Sequence, residues 1–264
     1  VADRGNICWI ASYPKSGNTW VRFLACNLLH GRQESASALN LLVPDVHELG
    51  PHLVNSAYSG LVKTHFAFSS RIPLAERTAA AIYVVREPAD VLISNYHYAR
   101  RSGGATGSAV EFDDYVDTFI RNRGDPRWIE LGMGSWEENV RSWLEPRPSF
   151  PVLLLKYEDL AADPTAGCLA LARLIRPNSS TADVGEAVSN STFQQMRAIE
   201  EADIQQKRPG IFYKPYLQQS IDSGLRFMRN GGVGDGAMRL SPEQRSRLRS
   251  AFRPLLEQLG YSTG

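Results

Sequence analysis

Residues 6–20 read Asn6-Ile7-Cys8-Trp9-Ile10-Ala11-Ser12-Tyr13-Pro14-Lys15-Ser16-Gly17-Asn18-Thr19-Trp20. Asn6 to Ser12 is a short apolar run with a β-branched centre, which predicts a buried strand that Tyr13, Pro14 and Gly17 bring to an end. From Trp20 to Leu29 apolar residues recur at near-helical spacing before Gly31, so a helix follows the turn. Strand, turn and helix in that order bring free backbone N–H groups and the positive end of a helix dipole together, and an anion is favoured there. Gly17 lets the backbone approach a ligand closely. Lys15 supplies a full charge, and the hydroxyls of Ser16 and Thr19 can donate to phosphate oxygens.

Outward from this turn, Leu61 to Phe66, Ala80 to Val85 and Val152 to Leu155 predict three further strands, the last two nearly continuous apolar runs of the kind covered on both faces. Helical patterns run from Pro88 to about Arg100 and from Asp163 to about Ile175. Two more, Phe112 to Ile120 and Trp136 to Trp143, lie between the third and fourth strands. The alternation predicts a single α/β domain over residues 1–264, with a central parallel sheet flanked by helices. At the C-terminal end, Ser241 as N-cap, Pro242 at the first position and Gln244 at the third open a helix carrying Leu248, Phe252, Leu255 and Leu259 on one face. Pro254 is expected to kink or split it. Ser102 to Ser108 and Asn230 to Gly236 read as mobile Gly-rich loops.

The formal charge of +1 in 264 residues excludes a whole-molecule field that would draw in nucleic acid or an anionic membrane, so a basic site must be local. Cys8, Cys26 and Cys168 sit singly in apolar runs, without the spacing of a metal site, and are expected to be buried thiols. No apolar stretch approaches a membrane span and no signal peptide opens the chain, which points to the cytoplasm.

A P-loop kinase places its Lys after the second Gly, beside a Mg²⁺-binding hydroxyl. Here Lys15 precedes Gly17, position 11 is Ala, and the third strand ends in Arg86 rather than a carboxylate. A metal-free site is implied, with Lys and Arg in place of the cation. The Tyr13 to Trp20 turn resembles the phosphosulfate loop of the cytosolic sulfotransferases, departing only at Asn18, a residue shared with bacterial members such as the glycopeptide-antibiotic sulfotransferases. The resemblance continues in order to about Gly236. It implies a P-loop-NTPase-like fold, 3′-phosphoadenosine 5′-phosphosulfate (PAPS) as co-substrate, and transfer of a sulfuryl group to a hydroxyl on a small molecule, with a bacterial natural product as the expected acceptor. Adenosine 3′,5′-bisphosphate (PAP) would be released.

The resemblance also implies roles. Lys63-Thr64-His65 matches the Lys-Thr-His motif. It makes His65 the general base, a task suited to imidazole, with Lys15 and Lys63 stabilising charge. Arg86 and Ser94 match the pair that holds the 3′-phosphate. Tyr157 in Lys156-Tyr157-Glu158-Asp159 matches a residue near the adenine, and Ser191-Thr192-Phe193 implies Phe193 packed on the base opposite Trp20. Phe227-Met228-Arg229-Asn230-Gly231 resembles the segment that closes over the 3′-phosphate, but Asn230 replaces a Lys, and Gly236 with Ala237 replaces Trp-Lys. His30, His47, His52 and His97 lack comparable company and read as structural. Acceptor walls are expected from Gln33 to Tyr58, Tyr96 to Trp128 and Ala202 to Tyr216, where Tyr96, Tyr98, Phe212, Tyr213 and Tyr216 suit a phenol or apolar alcohol. Two alternatives stay open: a Mg²⁺-dependent nucleotide kinase, and a silent nucleotide-binding protein.

Overall fold

Strands β1 (Ile7–Ser12), β2 (Gly60–Thr64), β3 (Thr78–Val85) and β4 (Val152–Lys156) pair in the order β2-β1-β3-β4, every pairing parallel. The computed structural model describes residues 5–48, 58–69, 72–102, 111–145 and 149–262. Successive strand residues face opposite sides, and each side feeds its own core. Trp9, Ala11, Ala81, Tyr83 and Val85 pack with Trp136, Trp143 and Phe252 on one side. Ile10, Ile82 and Val84 pack with Val21, Leu24 and Leu28 of α1 (Asn18–His30) on the other, together with Leu171 and Ala187. A sheet covered on both faces is what its apolar strands require. Cys26 and Cys168 are buried, Cys8 is half-buried, and all three are free thiols whose pKa burial raises, to about 12, 11 and 12 for Cys26, Cys168 and Cys8 respectively.

The expected helices are present as Pro88–Ser102, Phe112–Asn122, Trp136–Leu144, Pro164–Ile175 and Pro242–Gln258. The Ser241 capping box forms as read, with Gln244 closing it. Pro254 lies inside the last helix, which continues on both sides of it as one element. The proline removes one N–H, whereas Leu248, Phe252, Leu255 and Leu256 stay buried on either side and hold the turn to the core. Several helices escaped the pattern reading, the longest being Ala36–Leu42, Thr181–Asn190 and Phe193–Gln205. The second carries a legible capping box, Ser180 with Asp183.

β2 stops at Thr64, two residues before its expected end. The His65 N–H turns away from the ladder to donate to His47 Nε2 at 2.8 Å. On the same edge, Lys63 N–H donates to Pro44 O at 2.8 Å, so residues 44–47 line the free edge of β2. Of the two loops read as mobile, residues 103–108 of the first lie outside the described residues, as does the separate stretch 49–57 with His52. The other, Asn230 to Gly236, is tied down. Buried Asp90 accepts from Gly234 N–H at 2.9 Å and Gly236 N–H at 2.8 Å, Arg86 donates to Gly232 O at 2.7 Å, and Tyr157 Oη donates to Gly231 O at 2.8 Å.

Candidate active site

All four strands deliver residues to one end of the sheet, where a crevice forms at the carboxyl edge as in other open parallel sheets. A cavity of about 350 Å³ opens there. From β1 comes the turn: Lys15 adopts the left-handed conformation at φ 71°, and Gly17 follows at φ 105° as the N-cap of α1. A Cβ on Gly17 would collide with the Tyr157 ring, so the position needs glycine for space as well as for backbone conformation. The first N–H groups of α1 have no intrahelical partner and open at the cavity.

The Lys15 ammonium has no carboxylate partner among the described residues. It sits over the rings of Phe227, 4.0 Å from the centroid, and Tyr98, 4.5 Å away. Burial and the neighbouring Arg101, Arg86 and Arg229 lower its pKa to about 7. The Glu200 carboxylate offsets only part of this repulsion, so the site favours an arriving anion. Unpartnered buried polar atoms on two cavity-lining residues beside Lys15 fit that demand: Arg86 Nε and Arg101 Nε. An anionic ligand of the phosphosulfate type is thus matched by the loop amides, Lys15 and these guanidinium groups.

β2 supplies Lys63 and His65, both lining the cavity although His65 stands just past the strand. Lys63 Nζ is captured by Asp45 at 2.7 Å, the pair nearly buried at 9% and 14% exposed. His65 Nδ1 lies 2.8 Å from Ser12 O, and since a carbonyl oxygen only accepts, Nδ1 carries the proton. Nε2 is left as the free base of the ring. Burial, then Lys63 and His47, hold the His65 pKa well below 6.5, so the imidazole is neutral at physiological pH. Asn139 Nδ2 donates to His65 O at 2.8 Å and fixes the backbone behind it.

β3 ends in Arg86, whose Nη2 donates to Asp90 at 3.0 Å, and whose guanidinium lies 4.2 Å from the Tyr157 ring centroid. Ser94, one turn further along the Pro88–Ser102 helix, also lines the cavity. Beyond β4, Tyr157 meets Trp20 edge-on at 5.5 Å, and Phe193 lines the same end. The segment Phe227 to Gly231 closes over it. Its entry is clamped by buried Glu200, which accepts from Phe227 N–H at 2.6 Å and Met228 N–H at 2.9 Å. Gly231 takes φ 67°, and a side chain there would overlap the Phe193 ring. Arg229 pairs with Asp235, and Asn230 donates to the same carboxylate at 2.8 Å.

The cavity therefore gathers Lys15, Gly17, Asn18, Thr19, Trp20, Lys63, His65, Arg86, Ser94, Tyr157, Phe193, Phe227, Met228, Arg229, Asn230 and Gly231. Three expected residues stand outside its lining. Ser16 is buried beneath the loop, Ser191 is buried and accepts from Asn27 Nδ2 at 2.8 Å, and Thr192 caps the Phe193–Gln205 helix by accepting from Gln195 N–H. The Asn18 side chain points back to β1, donating to Ile10 O at 3.0 Å, so only its backbone faces an anion. Of the expected acceptor aromatics, Tyr98 and Tyr216 line the cavity, whereas Phe212 and Tyr213 are buried in the core. His47 and Arg101 were missed: His47 lines the cavity beside His65, and Arg101 donates to Phe212 O at 2.7 Å while facing Lys15. The signal for His47 was its place two residues after Asp45, on the segment that pairs with Lys63. Among the described residues no cluster of three or more His, Cys, Asp or Glu is arranged to hold a metal ion, and no helix is long and apolar enough to cross a membrane.

Residues 6–260 match the family model described as a sulfotransferase domain. Curated relatives include flavonol 3-sulfotransferase of Flaveria bidentis, 30% identical over 87% of this chain and 75% of that protein. Sulfotransferase 1C2 of Oryctolagus cuniculus is 25% identical over 94% of this chain and 82% of its own. Among solved structures, a mouse sulfotransferase complexed with PAP superposes with a TM-score of 0.70 at 19% identity, covering 97% of this chain and 84% of that one. A retinol dehydratase complexed with androsterone and PAP gives 0.69 at 18% identity, covering 97% and 82%.

Proposed function

This chain belongs to the sulfotransferase family and is a PAPS-dependent sulfotransferase; we propose that its acceptor is the hydroxyl of a small aromatic or apolar molecule and that His65 removes the hydroxyl proton. The observation that carries the reading is the His65 tautomer: Ser12 O holds the Nδ1 proton and leaves Nε2 basic and neutral in the cavity that Lys15 lines. When bound, the donor supplies an electrophilic sulfuryl group on a phosphate. Thr19 and the α1 amides hold the 5′-phosphate, while Arg86, Ser94 and Arg229 take the 3′-phosphate. Trp20, Tyr157 and Phe193 pack on the adenine. Transfer forms the acceptor O–S bond and breaks the bridging S–O bond. The acceptor proton passes to His65 Nε2, and the Lys15 ammonium stabilises the negative charge that develops on the bridging oxygen.

Lys63 acts through its charge, already balanced by Asp45, and so sets the field at His65 rather than donating freely. Tyr98, Tyr216 and Trp128 in the cavity lining favour an aromatic acceptor. Asn18, as in bacterial natural-product enzymes, favours a bacterial secondary metabolite. Free thiols at Cys8, Cys26 and Cys168 suit the cytoplasm.

The test is a screen of phenols, alcohols and bacterial natural products with labelled donor, run with and without EDTA. Label should enter at least one acceptor, and EDTA should leave the rate unchanged. A strict need for Mg²⁺ with ATP as donor would favour the kinase reading, and tight PAP binding with no transfer to any acceptor would favour a silent binding protein.

A further inference from the structure

Beside His65 the cavity holds a second imidazole. The His47 and His65 ring centroids lie 5.9 Å apart, and His47 packs against Phe66 at 4.1 Å. The His65 backbone N–H donates to His47 Nε2 at 2.8 Å, so that nitrogen must be the unprotonated one. The ring proton of neutral His47 is therefore on Nδ1, and burial followed by the Lys63 charge keeps the ring neutral by lowering its pKa to about 4. Nδ1 has no hydrogen-bond partner among the described residues and is not among the buried polar atoms left unpartnered, so it keeps access to solvent on a residue that lines the cavity.

The two rings thus offer complementary groups side by side: a base at His65 Nε2, and a donor at His47 Nδ1–H. Both are set by backbone contacts and not by a ligand. A hydroxyl can donate to one ring and accept from the other, but accepting a hydrogen bond occupies a lone pair of the oxygen that must attack sulfur, so the His47 donor is better met by a second, neighbouring oxygen. The ring centroids stand 5.9 Å apart, a span that hydrogen bonds of about 2.8–3.0 Å from the two rings can bridge when their oxygens sit on adjacent carbons of one ring. Trp128, Tyr98 and Met133, which line the same cavity, suit a flat ring.

We propose that His47 is a specificity-determining residue whose Nδ1–H donates to an oxygen ortho to the reacting hydroxyl, so that the preferred acceptors are 1,2-dioxygenated aromatic rings. This rests on the acceptor-site reading above. Its test compares 2-methoxyphenol with 4-methoxyphenol, isomers that differ only in where the second oxygen sits. Two ratios are measured for wild type, His47→Phe and His47→Gln: kcat/KM for the two isomers, and Kd for the two isomers in the PAP complex by calorimetry. Because both isomers use the same base, any disturbance of His65 by the substitution cancels in each ratio.

Wild type should prefer the ortho isomer about tenfold, the worth of one hydrogen bond. His47→Phe should bring the ratio to within about threefold of unity, and His47→Gln, whose amide both accepts and donates, should restore most of it. An equal wild-type preference overturns the proposal, as does failure to bind either isomer. A ratio unchanged in His47→Phe while both rates fall together also overturns it, because His47 would then only support the His65 backbone. Ortho-selective binding without transfer would leave the His47 assignment standing and count instead against the sulfuryl-transfer roles assigned to His65 and Lys15.

Discussion

Asp90→Asn should release the segment that closes the cavity. The Asp90 carboxylate is 1% exposed, pairs with a 9% exposed Arg86 at 3.0 Å, and accepts the amides of Gly234 and Gly236 from 144 and 146 residues away. All three partners are donors. An Asn amide replaces one accepting oxygen with an NH₂ group, so at least one donor must face another donor, and Arg86 loses its counter-charge. Charge-assisted bonds are worth about 1.5–3 kcal/mol each, and breaking a buried pair from one side costs about 3–5 kcal/mol. The larger range applies because both effects fall on one buried carboxylate. Urea denaturation should therefore show a loss of about 3–5 kcal/mol. Limited proteolysis of the variant should cut within residues 229–236 under conditions that spare wild type. A loss below about 1 kcal/mol, the worth of one ordinary hydrogen bond, with cleavage no faster than wild type, would refute the idea that Asp90 fastens this segment.

Lys15→Ala and His65→Ala should each lower kcat/KM by more than about a hundredfold while the fold is kept, as judged by circular dichroism; near-wild-type rates in both would remove the assigned mechanism. The pH profile has a definite sign. Lys15, with its pKa lowered to about 7, loses its proton as pH rises, so kcat/KM should fall above about pH 7. Bound phosphates favour the charged form, so the same limb in kcat should lie at higher pH. His65, already neutral well below pH 6.5, adds no acid limb near neutrality. A kcat/KM that rises through pH 8 would contradict this assignment. PAP should bind at least about tenfold more tightly than AMP, because Arg86, Ser94 and Arg229 offer bonds to the extra phosphate; equal affinities in calorimetry would abolish the 3′-phosphate site.

The sheet was legible because its strands are short apolar runs covered on both faces, and the Tyr13 to Trp20 turn because its chemistry is local: charge, glycine and helix start lie within eight consecutive positions. Lys63, His65 and Arg86 were placed by the same logic, each at a strand's carboxyl end. What the sequence hid depends on distant partners. Asp90 reads as a first-turn acid of a helix until Gly234 and Gly236 fold onto it, and Glu200 reads as a solvated helix acid until it is found buried against the Phe227 and Met228 amides. His47 looked isolated because its partner is the backbone of His65, across a free sheet edge that no periodicity records. Conversely, Ser191 and Thr192 fit a motif by order, yet their hydroxyls serve α1 and a helix cap.

The central claim is sulfuryl transfer from PAPS by the Lys15 and His65 site, and mass spectrometry of one reaction tests it most directly. Wild type is incubated with PAPS, EDTA and the best acceptor from the screen, beside Lys15→Ala and His65→Ala. The account predicts an acceptor heavier by one SO₃ group and an equal amount of PAP from wild type, with both products nearly absent in the variants. Failure of wild type to form the ester, or equal ester formation by the two variants, would contradict it.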